Sequence, residues 1–182
     1  QAKKRLDFFT RQMIDAAAPA NFAATNPEVL KLAAETNGES LRRGMQLLSE
    51  DLCKNRITMC NESAFEIGRN IAVTPGEVVF ENEIMQLIQY RAQTAEVFAR
   101  PLVMVPPCIN KYYILDLQAE NSLVRHAVEN GHTVFMVSWR NVTPELGHIT
   151  WDQYLELGVM RALTVAREIS GADQVNSLGF CV

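Results

Sequence analysis

The spacing of apolar residues changes near residue 75, and that change divides the chain. Before it, Leu6, Phe9, Met13 and Ile14 recur at helical intervals ahead of Ala16-Ala17-Ala18-Pro19. Asn26-Pro27-Glu28 reads as an N-cap followed by proline in the first turn. The apolar set then runs Val29, Leu30, Leu32 and Ala33, is broken by Asn37-Gly38, and resumes as Leu41, Met45, Leu47, Leu48 and Leu52. Residues 1–70 are therefore expected to form an amphipathic helical region that covers an apolar surface. After Thr74-Pro75-Gly76 the pattern shifts to strands at 78–80 and 85–90, with Glu81-Asn82-Glu83 as the turn between them. Three short apolar runs follow, at 101–105, 133–139 and 174–180, the first ended by Pro106-Pro107. Helices separate them: 122–129, closed by Asn130-Gly131, and a longer one opened by Thr150-Trp151-Asp152, continuing through Glu156, Val159, Leu163 and Ile169 to Ser170-Gly171. Apolar runs alternating with helices predict a mostly parallel sheet covered on both faces, an α/β fold.

The last run ends in Gly179-Phe180-Cys181-Val182, the first four positions of a Gly-x-nucleophile-x-Gly elbow with cysteine in place of the usual serine. A strand leading directly into it is the context such an elbow requires. The expected architecture is thus a helical region, 1–70, followed at 71–182 by the first half of an α/β-hydrolase fold. The chain is expected to be a piece of a longer protein, incomplete at the C-terminus and cut at its start as well. At an elbow the N–H that follows the nucleophile, here that of Val182, faces the developing oxyanion. A second donor is expected from the loop after the 102–105 strand, Pro106-Pro107-Cys108-Ile109-Asn110-Lys111, with the backbone N–H groups of Cys108 and Ile109 as candidates. Prolines stiffen that loop, and oxyanion donors help only when they are pre-aimed.

Cysteine narrows the chemistry. A thiolate attacks carbonyls near neutral pH and leaves a thioester, so exchange with an acyl-CoA is nearly isoenergetic and the acyl group stays activated. Serine suits hydrolysis, whereas cysteine suits acyl transfer. The alternative for Cys181 is a small apolar residue buried at a strand end. Cys53 and Cys60 read as packing residues on a helix, and the Cys108 side chain as structural. His126, His132 and His148 all precede Cys181, whereas the elbow fold orders nucleophile, acid, histidine, so none is expected to be the base. Asp116 and Lys111 flank Tyr112-Tyr113-Ile114-Leu115 and read as surface or capping residues.

Composition removes other classes. With 48% hydrophobic and 21% charged residues the chain is globular, not disordered. A net charge of −4 without a basic block gives no footprint for nucleic acid. No run of ~20 apolar residues predicts a membrane span, and no apolar signal core follows Gln1-Ala2-Lys3-Lys4-Arg5. The four cysteines lack Cys-x-x-Cys spacing and a histidine pair, so no metal site is expected and a reduced, cytoplasmic setting fits. Neither GxGxxG nor a P-loop is present, so no nucleotide cofactor is expected.

With those residues in place, the chain resembles the class I polyhydroxyalkanoate synthases (poly-β-hydroxybutyrate polymerases). The resemblance rests on Asn26-Pro27, on Gly76-Glu77-Val78-Val79-Phe80-Glu81-Asn82, and on Tyr90 onward. It rests most on Pro106-Pro107-Cys108-Ile109-Asn110-Lys111-Tyr112-Tyr113-Ile114-Leu115-Asp116-Leu117, with Ser138-Trp139-Arg140-Asn141 and the elbow completing it. The family often carries another residue at position 108. The resemblance implies polymerisation of (R)-3-hydroxyacyl-CoA, typically 3-hydroxybutyryl-CoA, into polyester with release of CoA. Cys181 would be acylated, and a histidine and an aspartate beyond Val182 would complete the machinery, leaving this stretch inactive alone. CoA enters as substrate and no cofactor is implied. The family works in the cytoplasm at the surface of polyester granules, holding the growing chain, and the full-length protein is expected as a homodimer. Residues 1–70 match its region associated with granule attachment, dimerisation and activity. Two other readings stand beside this one: a cysteine hydrolase or thioesterase of the same fold, and, for 1–70, a granule- or partner-binding module without chemistry.

Overall fold

The computed structural model describes residues 1–181; Val182, the expected first oxyanion donor, lies outside the described residues. The chain divides into two compact units, Gln1–Glu62 and the part from Ser63 onward.

The first unit holds α1 (Ala2–Ala16), α2 (Pro27–Glu35) and α3 (Glu39–Lys54). α2 begins as the sequence predicts. The Asn26 side-chain oxygen accepts from the N–H groups of Glu28 (2.9 Å) and Val29 (3.3 Å), and Pro27 sits where a missing donor costs nothing. Asn37 and Gly38, with φ of 51° and 84°, break the helix before α3. α3 stops at Asn55, which is itself left-handed, so the expected helical region is shorter than 1–70 and no α-helix forms between Lys54 and the sheet. No residue of α1, α2 or α3 is buried, and Leu6, Met13, Met45 and Leu52 are each more than half exposed. Cys53 and Cys60 are exposed too, not packed as expected, because these helices enclose no core of their own.

The second unit is built on a five-stranded sheet. Its strands are β1 (Gly76–Glu81), β2 (Met85–Tyr90), β3 (Leu102–Val105), β6 (Val134–Trp139) and β7 (Asn176–Gly179), while β4 (Asp116–Gln118) and β5 (Asn121–Ser122) form a separate ribbon. The order is β1-β2-β6-β3-β7. The sheet is mixed, not mostly parallel: β6–β3 and β3–β7 run parallel, while β1–β2 and β2–β6 run antiparallel. The turn after β1 is too short for anything but a reversal, since a parallel return needs a crossover of a dozen residues or so. Asn82 shapes that turn. Its Oδ1 accepts from the N–H groups of Ile84 and Met85 (both 3.0 Å), and its Nδ2 donates to the Leu157 carbonyl at 2.7 Å.

Alternation along the central strands sorts side chains to two faces. Val103, Phe135 and Val137 point to one side and pack with Ala162, Val165 and Ala166. Met104, Val134 and Met136 point to the other and pack with Val124, Ala127 and Val128 of α4 (Leu123–Glu129). Both faces are covered, as the alternation of runs and helices predicts. The second face-covering element spans 151–170. Thr150 opens it with a reciprocal capping box: its Oγ1 accepts from Gln153 N–H and Gln153 Oε1 accepts from Thr150 N–H. Gly171 ends it at φ 66°. Between α5 (Trp151–Gln153) and α6 (Arg161–Ser170), residues Tyr154–Met160 wind as a π-helix, a feature common at functional sites.

Asp116 is fully buried, not at the surface. Its carboxylate accepts from the hydroxyls of Thr74 and Ser122, each at 2.6 Å, and from Thr74 N–H at 3.3 Å. Ser122 in turn caps α4 by accepting from Arg125 N–H at 2.9 Å. One carboxylate thereby fixes the chain ahead of β1, the small ribbon and the start of α4.

Candidate active site

β3 and β7 are parallel neighbours in register, with Val105 opposite Gly179. Both chains leave the sheet at the same end, and the Phe180 N–H still donates to the Val105 carbonyl at 3.1 Å. The next residue on each side is where the paths part. On β3's side, Pro106-Pro107 has no N–H to extend the ladder. On β7's side, Cys181 turns into the left-handed region with φ 52°. For a non-glycine residue that conformation is uncommon and strained, and such strain gathers at functional sites. Cys181 is exposed at the end of the described residues.

An apolar cavity of about 250 Å³ lies between these chain ends. Its walls include Val105 to Ile109, the rings of Trp139, Trp151 and Tyr154, and Cys181. Trp139 and Tyr154 meet at a tilt, 5.6 Å between centroids and 57° between planes, and Trp151 and Tyr154 lie 6.4 Å apart, tilted by 30°. The Trp139 Nε1–H donates to the Pro106 carbonyl at 2.7 Å. A Cβ on the buried Gly158 would sit 2.5 Å from the Trp139 ring, so glycine in the π-helical segment is what lets the indole approach. Lys111 is exposed, and its ammonium donates to the Asn141 side-chain oxygen, joining the loop after β3 to the loop after β6.

The predicted loop and the predicted nucleophile therefore meet at one cavity. Among the described residues, the Ile109 N–H donates to no backbone or side-chain acceptor. Partial desolvation against the cavity pushes the pKa of the exposed Cys108 thiol up. The Cys108 N–H likewise donates to no backbone acceptor among the described residues, so both loop candidates remain available. None of the histidines lines the cavity. His126 lies exposed on α4, His132 precedes β6 with its ring 4.9 Å from that of Phe98, and His148 meets the Glu145 carbonyl at 2.8 Å. Among the described residues no three or more His, Cys, Asp or Glu side chains group to hold a metal ion, and no helix is long and apolar enough to cross a membrane.

Three features escaped the sequence reading: the buried Asp116, the Trp139 tether and the π-helical segment. Gly158 inside an otherwise helical pattern is the signal that flags a close approach there.

Comparison with known proteins defines the class. Residues 1–127 match the family described as Poly-beta-hydroxybutyrate polymerase (PhaC) N-terminus, and the chain belongs to that family. Over all 182 residues it is 59% identical to the poly(3-hydroxyalkanoate) polymerase subunit PhaC of Cupriavidus necator, covering 100% of this chain and 31% of that protein. It is 40% identical over 179 residues to the protein of the same name from Rhizobium meliloti, covering 96% of this chain and 29% of that one. With the poly(3-hydroxyalkanoate) polymerase of Methylorubrum extorquens it shares 41% over 184 aligned positions, 99% of this chain and 30% of that one. The chain thus spans about a third of the length of these relatives. The family match ends within α4, so β6, the π-helical segment and Cys181 lie in the part covered by the relatives alone.

Proposed function

We propose that this chain carries the nucleophile and the oxyanion loop of an acyltransferase that polymerises (R)-3-hydroxyacyl-CoA, typically 3-hydroxybutyryl-CoA, into polyhydroxyalkanoate. The observation that carries the reading is the pairing of Cys181, left-handed at the end of β7, with the proline-stiffened 106–111 loop across one apolar cavity. The parallel trio β6–β3–β7, with helices on both faces, supports reading 71–182 as the first half of an α/β-hydrolase fold.

In this mechanism the Cys181 thiolate attacks the thioester carbonyl carbon. The carbonyl oxygen takes up the charge opposite backbone N–H groups, that of Val182 and one from the 106–111 loop, Ile109 or Cys108. Collapse breaks the bond to the CoA sulfur, and CoA leaves with a proton. Sulfur has replaced sulfur, so the acyl group on Cys181 stays activated. A hydroxyl from a second acyl unit then attacks, an ester forms, and the Cys181 sulfur is released. CoA is part of the substrate, and no cofactor is invoked.

The histidine and aspartate that move the protons come from elsewhere in the full-length protein, so the 182-residue stretch alone is expected to be inactive. The exposed apolar faces of α1 to α3 support a region, 1–70, that docks on the granule surface or on a partner, within a cytoplasmic, homodimeric enzyme. Hydrolysis needs water at the acyl-enzyme, and the Trp139–Tyr154–Trp151 wall favours its exclusion. Transfer is therefore preferred over a thioesterase.

The test is to give the full-length protein 3-hydroxybutyryl-CoA and measure CoA release together with insoluble polymer. Polymer in proportion to CoA supports the synthase. Free hydroxy acid without polymer sinks it in favour of the thioesterase.

A further inference from the structure

We infer that Trp139 is a positioning residue for the oxyanion loop. This rests on the reading of Cys181 as nucleophile and of the Ile109 N–H as oxyanion donor, and goes on to name what holds that donor in place.

The loop after β3 begins with two prolines, which cannot bond to a neighbouring strand through their own nitrogens. Its aim must come from its carbonyls and side chains. The structure supplies two ties, both from the end of β6. The Trp139 indole N–H donates to the Pro106 carbonyl at 2.7 Å, and Lys111 donates to Asn141. They bracket Cys108 and Ile109. The ties differ in stiffness: the Lys111 ammonium rides on a long exposed stem, whereas the indole is rigid and half-buried. The tilted ring contact with Tyr154 and the absent Cβ of Gly158 leave the indole where its N–H reaches Pro106. The nucleophile is tied to the same point from the other side, through the Phe180 N–H bond to the Val105 carbonyl. Trp139 thus sets the distance between Cys181 and the Ile109 N–H without a bond to either. An error of about 1 Å in such a placement is worth up to about 100-fold in rate.

The test separates positioning from folding by using two reactions of one thiol. Acyl transfer from 3-hydroxybutyryl-CoA develops an oxyanion, whereas alkylation of Cys181 by iodoacetamide develops none. In the full-length protein, Trp139→Phe and replacement of Trp139 by benzothienylalanine (the same ring shape with sulfur for N–H) should each slow Cys181 acylation about 10- to 100-fold. KM should move less than about threefold, and alkylation should stay within about twofold of the unaltered protein, since neither step uses the donor. Acylation by the benzothienyl variant within about threefold of the unaltered rate would overturn the inference, as would alkylation that falls in parallel with acylation. If Trp139→Phe unfolds, the benzothienyl variant alone decides. Failure of the underlying reading looks different: the unaltered protein would then carry no acyl group on Cys181.

Discussion

Cys108 lines the same cavity as Cys181. Partial desolvation against the cavity wall holds the otherwise exposed Cys108 thiol above its ordinary pKa. Its reactive thiolate therefore appears only at higher pH than in an unfolded peptide. In a Cys181→Ala background, the pH profile of Cys108 alkylation should have its midpoint shifted upward from that of the denatured protein; coincident midpoints would contradict the desolvation. Asp116 calls for a different measurement. Its carboxylate satisfies two hydroxyls and a backbone N–H inside the fold. Asp116→Ala leaves those donors buried without an acceptor and should lower unfolding stability by about 2–4 kcal/mol in urea titrations. A change of a few tenths would mean that water replaces the carboxylate.

Among the elements, the hairpin turn and the π-helical segment are coupled through Asn82, which bonds both its own turn and the Leu157 carbonyl. Gly158, one residue on, is where the segment meets Trp139. Gly158→Val should over-pack that contact, cost about 1–3 kcal/mol in stability, and alter tryptophan fluorescence. An unchanged spectrum and midpoint would show that the indole has room. The sequence made the strands and the α4 and 151–170 helices legible because their signals are local: apolar runs of strand length, the Asn130-Gly131 stop, and the Thr150 capping box. It also brought Cys181 and the 106–111 loop to one site, because an elbow implies a donor loop on the neighbouring strand. Sheet sense was not legible, since pairing partners are chosen across the sheet by packing such as Leu87 against Val137. Nor was the Asp116 hub, whose partner Thr74 lies 42 residues away, or the Trp139–Pro106 bond, which spans 33.

At the scale of the whole molecule the two units differ in what they bury. The Ser63-onward unit has a core on both sheet faces, while the Gln1–Glu62 unit has amphipathic helices without a buried residue. In the proposed reading that apolar surface is a docking face. Deleting residues 1–60 from the full-length protein should reduce its sedimentation with polyester granules, and unchanged partitioning would assign the helices to covering the protein itself.

The central claim is that the acyl group passes through Cys181. The most direct measurement is peptide mass spectrometry of the full-length protein quenched during turnover of 3-hydroxybutyryl-CoA. The account requires the hydroxybutyryl adduct on the peptide containing Cys181, and its loss together with CoA release in Cys181→Ala. An adduct on another residue, or continued turnover in Cys181→Ala, would contradict it.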